Sequence, residues 1–170
     1  MKTTILTLLL IIPTLVRCQI NSNIITQQEF NNITINNVTF SNIKATNGDQ
    51  NLLDNLFTSN IIESNIDPDG DFYNYKFNGF AIGFSSIMGT IETPVISSFE
   101  ITNNNWSINI QGHTVSIGSH KDDLGNVLLN NPVNGVKSII YQYCDGCNNF
   151  LSFDLDENNI IIRIIYIEMT

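Results

Sequence analysis

The sequence predicts an α+β protein of two similar units, each a short helix packed on an antiparallel β-meander. Short runs of alternating apolar and polar residues, with turns too short for parallel crossovers between most of them, predict the meanders. One stretch of helical apolar spacing in each half predicts the helices. The order strand pair, helix, meander occurs twice, which predicts the duplication.

The N-terminus reads as a secretory signal peptide over residues 1–18. Lys2 supplies the positive start, Ile5 to Ile12 is apolar except at Thr7, and Pro13 breaks the run. That core is too short to span a bilayer as a stable helix. Val16 and Cys18 stand before a cut that leaves Gln19 first, and the rival is a lipoprotein cut that retains and acylates Cys18. Arg17 fits the lipoprotein signal poorly, so the plain cut is favoured. No later segment is long and apolar enough for a transmembrane helix.

Residues 19–104 form the first expected unit and residues 105–170 the second, and the two can intertwine into one domain. In the second, Trp106 to Ile110 and Thr114 to Ile117 alternate as strands about Gln111-Gly112. Gly118 to Leu129 reads as a helix, with Ser119 and Asp122 as a capping pattern and Asn130-Asn131-Pro132 as its stop. Val136 to Tyr143, Phe150 to Leu155 and Ile160 to Glu168 read as the meander. In the first unit, Ile35 to Phe40, Leu53 to Phe57, Tyr73 to Tyr75, Phe80 to Phe84 and Ile96 to Ile101 repeat that order. Ile and Asn are abundant throughout, as an AT-rich genome would produce, and such bias weakens any self-match.

The run Ile117-Gly-Ser-His-Lys-Asp-Asp-Leu124, then a helix, Asn-Pro, Tyr141-Gln-Tyr143, a turn and Phe150-Leu-Ser-Phe153 resembles the repeat of beta-lactamase-inhibitor-protein-like domains. SmpA/OmlA-type envelope lipoprotein domains show a similar order. The resemblance covers about 60 residues of the second half and implies a fold more than a function. It departs at Asn130-Asn131, where those families more often carry glycine.

The chain holds 7 basic and 16 acidic residues, a formal charge of −9. Loss of Lys2 and Arg17 with the signal leaves 5 against 16, or −11. Such a surface repels nucleic acid and anionic lipid.

Cys144-Asp-Gly-Cys147 lies between β-like flanks, and Asp-Gly favours a hairpin. A disulfide staple is favoured over a redox centre, which needs a helix N-terminus, and over zinc, which needs two further ligands. Asp67, Asp69 and Asp71 alternate as in a calcium loop, but no bidentate Glu follows at the required distance, so a polar turn is favoured. His113 and His120 have no defined common face, and no catalytic or cofactor-binding motif occurs. No cofactor is expected.

The aromatics carry the strongest functional signal. Tyr73, Tyr75 and Phe77 share one face of their strand, Tyr141 and Tyr143 one face of theirs, and Tyr166 lies on the final strand. They are either core between the units or a face that meets a partner. The expectation is an exported, non-catalytic protein-binding module whose partner is an envelope or extracellular protein. The alternative is an envelope assembly or maintenance factor anchored through acylated Cys18. An enzyme, hydrolytic or redox, would have to join His113 or His120 to the carboxylates of residues 67–71.

Overall fold

Two tight turns set the architecture. Asn36 and Asn37 have φ of 46° and 68°, and Gln111 and Gly112 have φ of 51° and 85°. Two successive residues with positive φ match the right-handed twist of a hairpin. The first turn joins β2 (Thr34–Ile35) to β3 (Val38–Thr39), and the second joins β8 (Ser107–Ile110) to β9 (His113–Ser116). Antiparallel pairing of β2 with β8, Thr34 opposite Asn109, merges the hairpins into a four-stranded sheet ordered β3-β2-β8-β9.

The computed structural model describes residues 21–57, 59–67, 72–86, 93–133 and 136–168. The signal-peptide segment, Cys18, Asp69 and Asp71 lie outside these residues.

A nine-stranded sheet holds the two meanders. The first is β4 (Glu63–Ile66), β5 (Phe72–Phe77), β6 (Phe80–Ser85) and β7 (Val95–Ile101). The second is β11 (Val136–Gln142), β12 (Asn149–Leu155) and β13 (Ile161–Glu168), flanked by β1 (Ser22–Ile24) and β10 (Asn130–Val133). Their last strands, β7 and β13, pair antiparallel, which gives the order β1-β11-β12-β13-β7-β6-β5-β4 with β10 beside β11. Strands from both halves of the chain therefore pair in both sheets. The class is α+β, mostly sheet.

Among the described residues, three short helices lie in the first half. In α1 (Gln27–Asn31) the Thr26 hydroxyl accepts from Glu29 N–H while the Glu29 carboxylate accepts from Thr26 N–H, a reciprocal cap. Thr39 caps α2 (Phe40–Lys44), and Asp49 caps α3 (Gln50–Leu56), which contains most of the stretch expected as a helix at Leu53 to Phe57. The helix expected over Gly118 to Leu129 is only a single 3-10 turn, Lys121–Leu124. Gly125, at φ 80°, ends it, and Asn130 already belongs to β10. Its cap is His120 with Asp123; the Ser119 hydroxyl instead accepts from Ser116 N–H at 3.0 Å.

The core lies between one face of the large sheet and the layer of helices and small sheet. Phe30 of α1 packs at 5.9 Å from Tyr166, Phe40 of α2 at 6.0 Å from Phe99, and Phe57 at 5.3 Å from Trp106. Trp106 also donates its indole N–H to the Asn78 carbonyl at 2.8 Å and packs 4.6 Å from Phe80. Ile35, Ile108, Ile110 and Val115 of the small sheet join the same buried cluster. Among the described residues no helix is long and apolar enough to cross a membrane.

Candidate functional site

The aromatic residues singled out from the sequence face inward. Tyr75, Phe77, Tyr141 and Tyr166 are at most 3% exposed, and Tyr73 and Tyr143 are half-buried against the same cluster. The Tyr75 hydroxyl donates to the Gly48 carbonyl at 2.6 Å, and Tyr166 donates to the Glu168 carboxylate at 2.6 Å. An aromatic face open to a partner is therefore corrected to an interior one. The helices and Trp106 cover it, because burying these large rings removes the most apolar surface from water.

Burial pushes the Tyr141 phenol up to about 12. It raises Tyr166 as well, with the Glu168 carboxylate adding to the shift. Both phenols are neutral in the folded chain and ionise more easily once unfolded, near the ordinary value of about 10. The stability gained by keeping them neutral is complete below pH 10 and is lost as pH rises through about 12. We expect the last of the five tyrosines to ionise together with loss of structure in that window. Ionisation of all five with native circular dichroism retained would contradict this burial.

The opposite face of the large sheet carries a groove. Ala81 and Gly83 of β6 and Ser98 of β7 lie side by side on it, through the pairs Ala81 with Glu100 and Gly83 with Ser98. Those small residues leave a groove of about 480 Å³ over strands β4 to β7 and β13, a size within the range of ligand pockets. A Cβ added at Gly83 would stand 2.9 Å from the Asn74 side-chain oxygen, so even one methyl group intrudes on the groove floor. The corresponding face of β12 is filled instead, by Phe150 opposite Ile167 and by Asp154 opposite Arg163.

Charged pairs line the two sides. On β4 and β5, Lys76 Nζ lies 2.8 Å from a Glu63 carboxylate oxygen. On the other side Arg163 donates through Nε and Nη2 to one Asp154 oxygen at 2.9 and 2.7 Å, and Nη1 lies 3.7 Å from Glu100. The Ser152 hydroxyl donates to the second Asp154 oxygen at 3.2 Å. Asn65, Asn74 and Ser98 add neutral hydrogen-bonding groups, and Ile165 and Ile167 add apolar surface. The groove thus offers donors, acceptors and apolar contact on a sheet framework, with its lining charges balanced. No histidine or cysteine stands among its described lining residues.

Sequence reading missed this groove, although a signal was present. Ala81, Gly83 and Ser85 alternate with Ile82 and Phe84, so one face of β6 is small at every position. Unbroken alternation along the last strand would put Ile162 on the face of Ile164 and Tyr166. A bulge between Asp154 and Leu155 shifts the register and leaves Ile162 48% exposed.

Cys144 and Cys147 are joined by a disulfide at the turn between β11 and β12, their Cα atoms 5.4 Å apart. Gly146 supplies the positive φ of 76° there, and the Gln142 amide donates to the Cys147 carbonyl at 2.9 Å. The closed loop is short, so the double variant Cys144→Ser, Cys147→Ser should cost under about 2 kcal/mol. A urea midpoint read at unchanged slope checks this; global unfolding of the variant would contradict it.

The other candidates stay apart. His113 donates from Nδ1 to the Asp123 carbonyl at 3.0 Å, while His120 accepts from Asp122 N–H at 3.3 Å beside the 3-10 turn. Asp67 lies past the end of β4 and donates its N–H to the Phe72 carbonyl at 2.9 Å, in the other sheet. Among the described residues no group of three or more histidine, cysteine, aspartate or glutamate side chains is placed to hold a metal ion.

No protein-family model, curated protein or solved structure matches this chain.

Proposed function

We propose that the chain is an exported, non-catalytic protein-binding module that meets its partner with the outer face of the large sheet. The observation that carries this reading is the groove floored by Ala81, Gly83 and Ser98 on a face that none of the described helices lines. Its carboxylates, Glu63 and Glu100, are each matched by a cation, Lys76 and Arg163. That arrangement suits hydrogen bonding to a docked surface better than proton transfer. The bonded cysteine pair fits an oxidising compartment, in keeping with export. The two hairpin-helix-meander halves are read as a duplication, in which the first half was hollowed for binding and the second kept filled.

Site-specific photo-cross-linking in the host tests this reading. A photoreactive residue at Asn65, Lys76 or Glu100 should give one discrete protein adduct, and the same residue at exposed Ser41 or Asp122 should not. An adduct of equal yield from all positions, or none from the groove, would remove the proposal.

A further inference from the structure

The two edges of the large sheet are finished differently. Beyond β11, the edge is closed by β1, paired at Ile140 to Gln142, and by β10, paired at Val136 and Ser138. Asparagine amides tie β1 to the chain around β10. Asn23 accepts from Leu128 N–H at 2.7 Å and donates to Leu128 O at 3.2 Å. Asn130 accepts from Asn21 N–H at 2.6 Å and donates to Asn21 O at 2.7 Å. These bonds hold β1 and the segment leading into β10 together along β11.

At the other edge, all four residues of β4 are exposed. Asp67 N–H is directed to Phe72 O on β5, so antiparallel alternation turns Asn65 the same way and turns the N–H and C=O of Ser64 and Ile66 outward. Among the described residues nothing pairs with that outer side of β4. Ile62 and Ile66 flank it at 68% and 48% exposure. Ile66 stands on the sheet face of Tyr73 and Glu63 on the groove face, opposite Lys76, while the Ile62 N–H donates to the Lys76 carbonyl at 2.8 Å.

We infer that β4 accepts an extended segment of the partner protein as an added strand. This deepens the protein-binding reading and rests on it. The segment's chemistry follows from the edge. Apolar residues of the segment lie against Ile66, and the residues that alternate with them, directed to the groove face beside Glu63, are basic or polar. The formal charge of −11 left after loss of the signal favours a cationic segment over an acidic one. Backbone hydrogen bonds to Ser64 and Ile66 supply affinity, and side-chain alternation supplies register.

The probe is the acetylated, amidated peptide Lys-Val-Thr-Ile-Lys-Val-Thr, titrated into the purified protein as its host exports it. Saturable binding should slow hydrogen exchange at the Ser64 and Ile66 amides by about tenfold or more. Ser64→Pro removes an outward donor that the fold does not use and should weaken binding by at least about tenfold. Should that variant unfold, Ile62→Lys with Ile66→Lys, which places charge along the edge, should give the same loss. No saturation by about 1 mM peptide, or saturation with both amides unprotected, would overturn the inference. So would binding that survives the edge substitutions in folded protein. If the peptide fails while the groove positions still yield their adduct, the edge inference falls and the groove reading stands; if the groove adduct is lost, the reading beneath both falls.

Discussion

Tyr166→Ala is expected to destabilise the protein by about 3–5 kcal/mol, the range for removing a large buried aromatic side chain. Tyr166 has no exposed surface and stands opposite Leu151 of β12 and Phe99 of β7, at the junction of the two meanders. Its ring stacks on Phe99 at 5.3 Å and meets Phe40 of α2 edge-on at 4.9 Å. One substitution therefore loosens both the helix layer and the β7–β13 seam. Tyr166→Phe keeps the ring and loses the hydroxyl with its bond to the Glu168 carboxylate, so it should cost less, about 1.5–3 kcal/mol. Urea unfolding of the three proteins at a common slope measures both values. Equal costs for the two variants would mean that the hydroxyl, not ring packing, dominates, contrary to the core described above.

The second large effect is on binding. Ala81→Trp places an indole on the groove floor between Lys76 and Glu100, its neighbours across the sheet. Ala81 is partly exposed on the outer face, so the added ring extends into open space and the core is untouched. Stability should change by less than about 1 kcal/mol, as for most surface substitutions. Partner binding should fall by more than about tenfold, since a filled groove excludes the complementary surface. Val136→Trp, at an exposed position of β11 outside the groove, serves as the control and should bind as the parent does. Loss of binding in both variants would assign the effect to a general surface change rather than to the groove.

Much of the fold was legible because strand alternation and turn chemistry are local. β5 to β9 and β11 to β13 fall where alternating runs lie between Asn-Gly, Gln-Gly, Asp-Gly and Asn-Asn turns. Helices were harder to place. α1 and α2 hold five residues each, fixed by caps at Thr26 and Thr39 and by burial of Phe30 and Phe40 rather than by a repeating pattern. The expected helix after Gly118 carried the right apolar spacing, but Gly125 and β10 pairing outweighed it. The aromatic stripes were found correctly as stripes, yet parity alone does not say which sheet face receives the helix layer. The groove was missed for a related reason: a hollow consists of small side chains, and Ala81, Gly83 and Ser98 carry none of the chemistry that draws attention in a sequence. Its charged sides arise from cross-strand pairs such as Asp154 with Arg163 and Lys76 with Glu63, which depend on register.

Carbodiimide labelling of surface carboxylates, with and without the cross-link-identified partner, tests the assignment of the outer face most directly. Glu63 and Glu100, at 60% and 43% side-chain exposure, are open to label in the free protein. Binding to the groove face should suppress their labelling several-fold and leave Asp49 and Asp122, exposed on the helix and small-sheet side, unchanged. Protection of Asp49 and Asp122 with Glu63 and Glu100 still reactive would place the partner on the opposite side of the molecule and contradict the account.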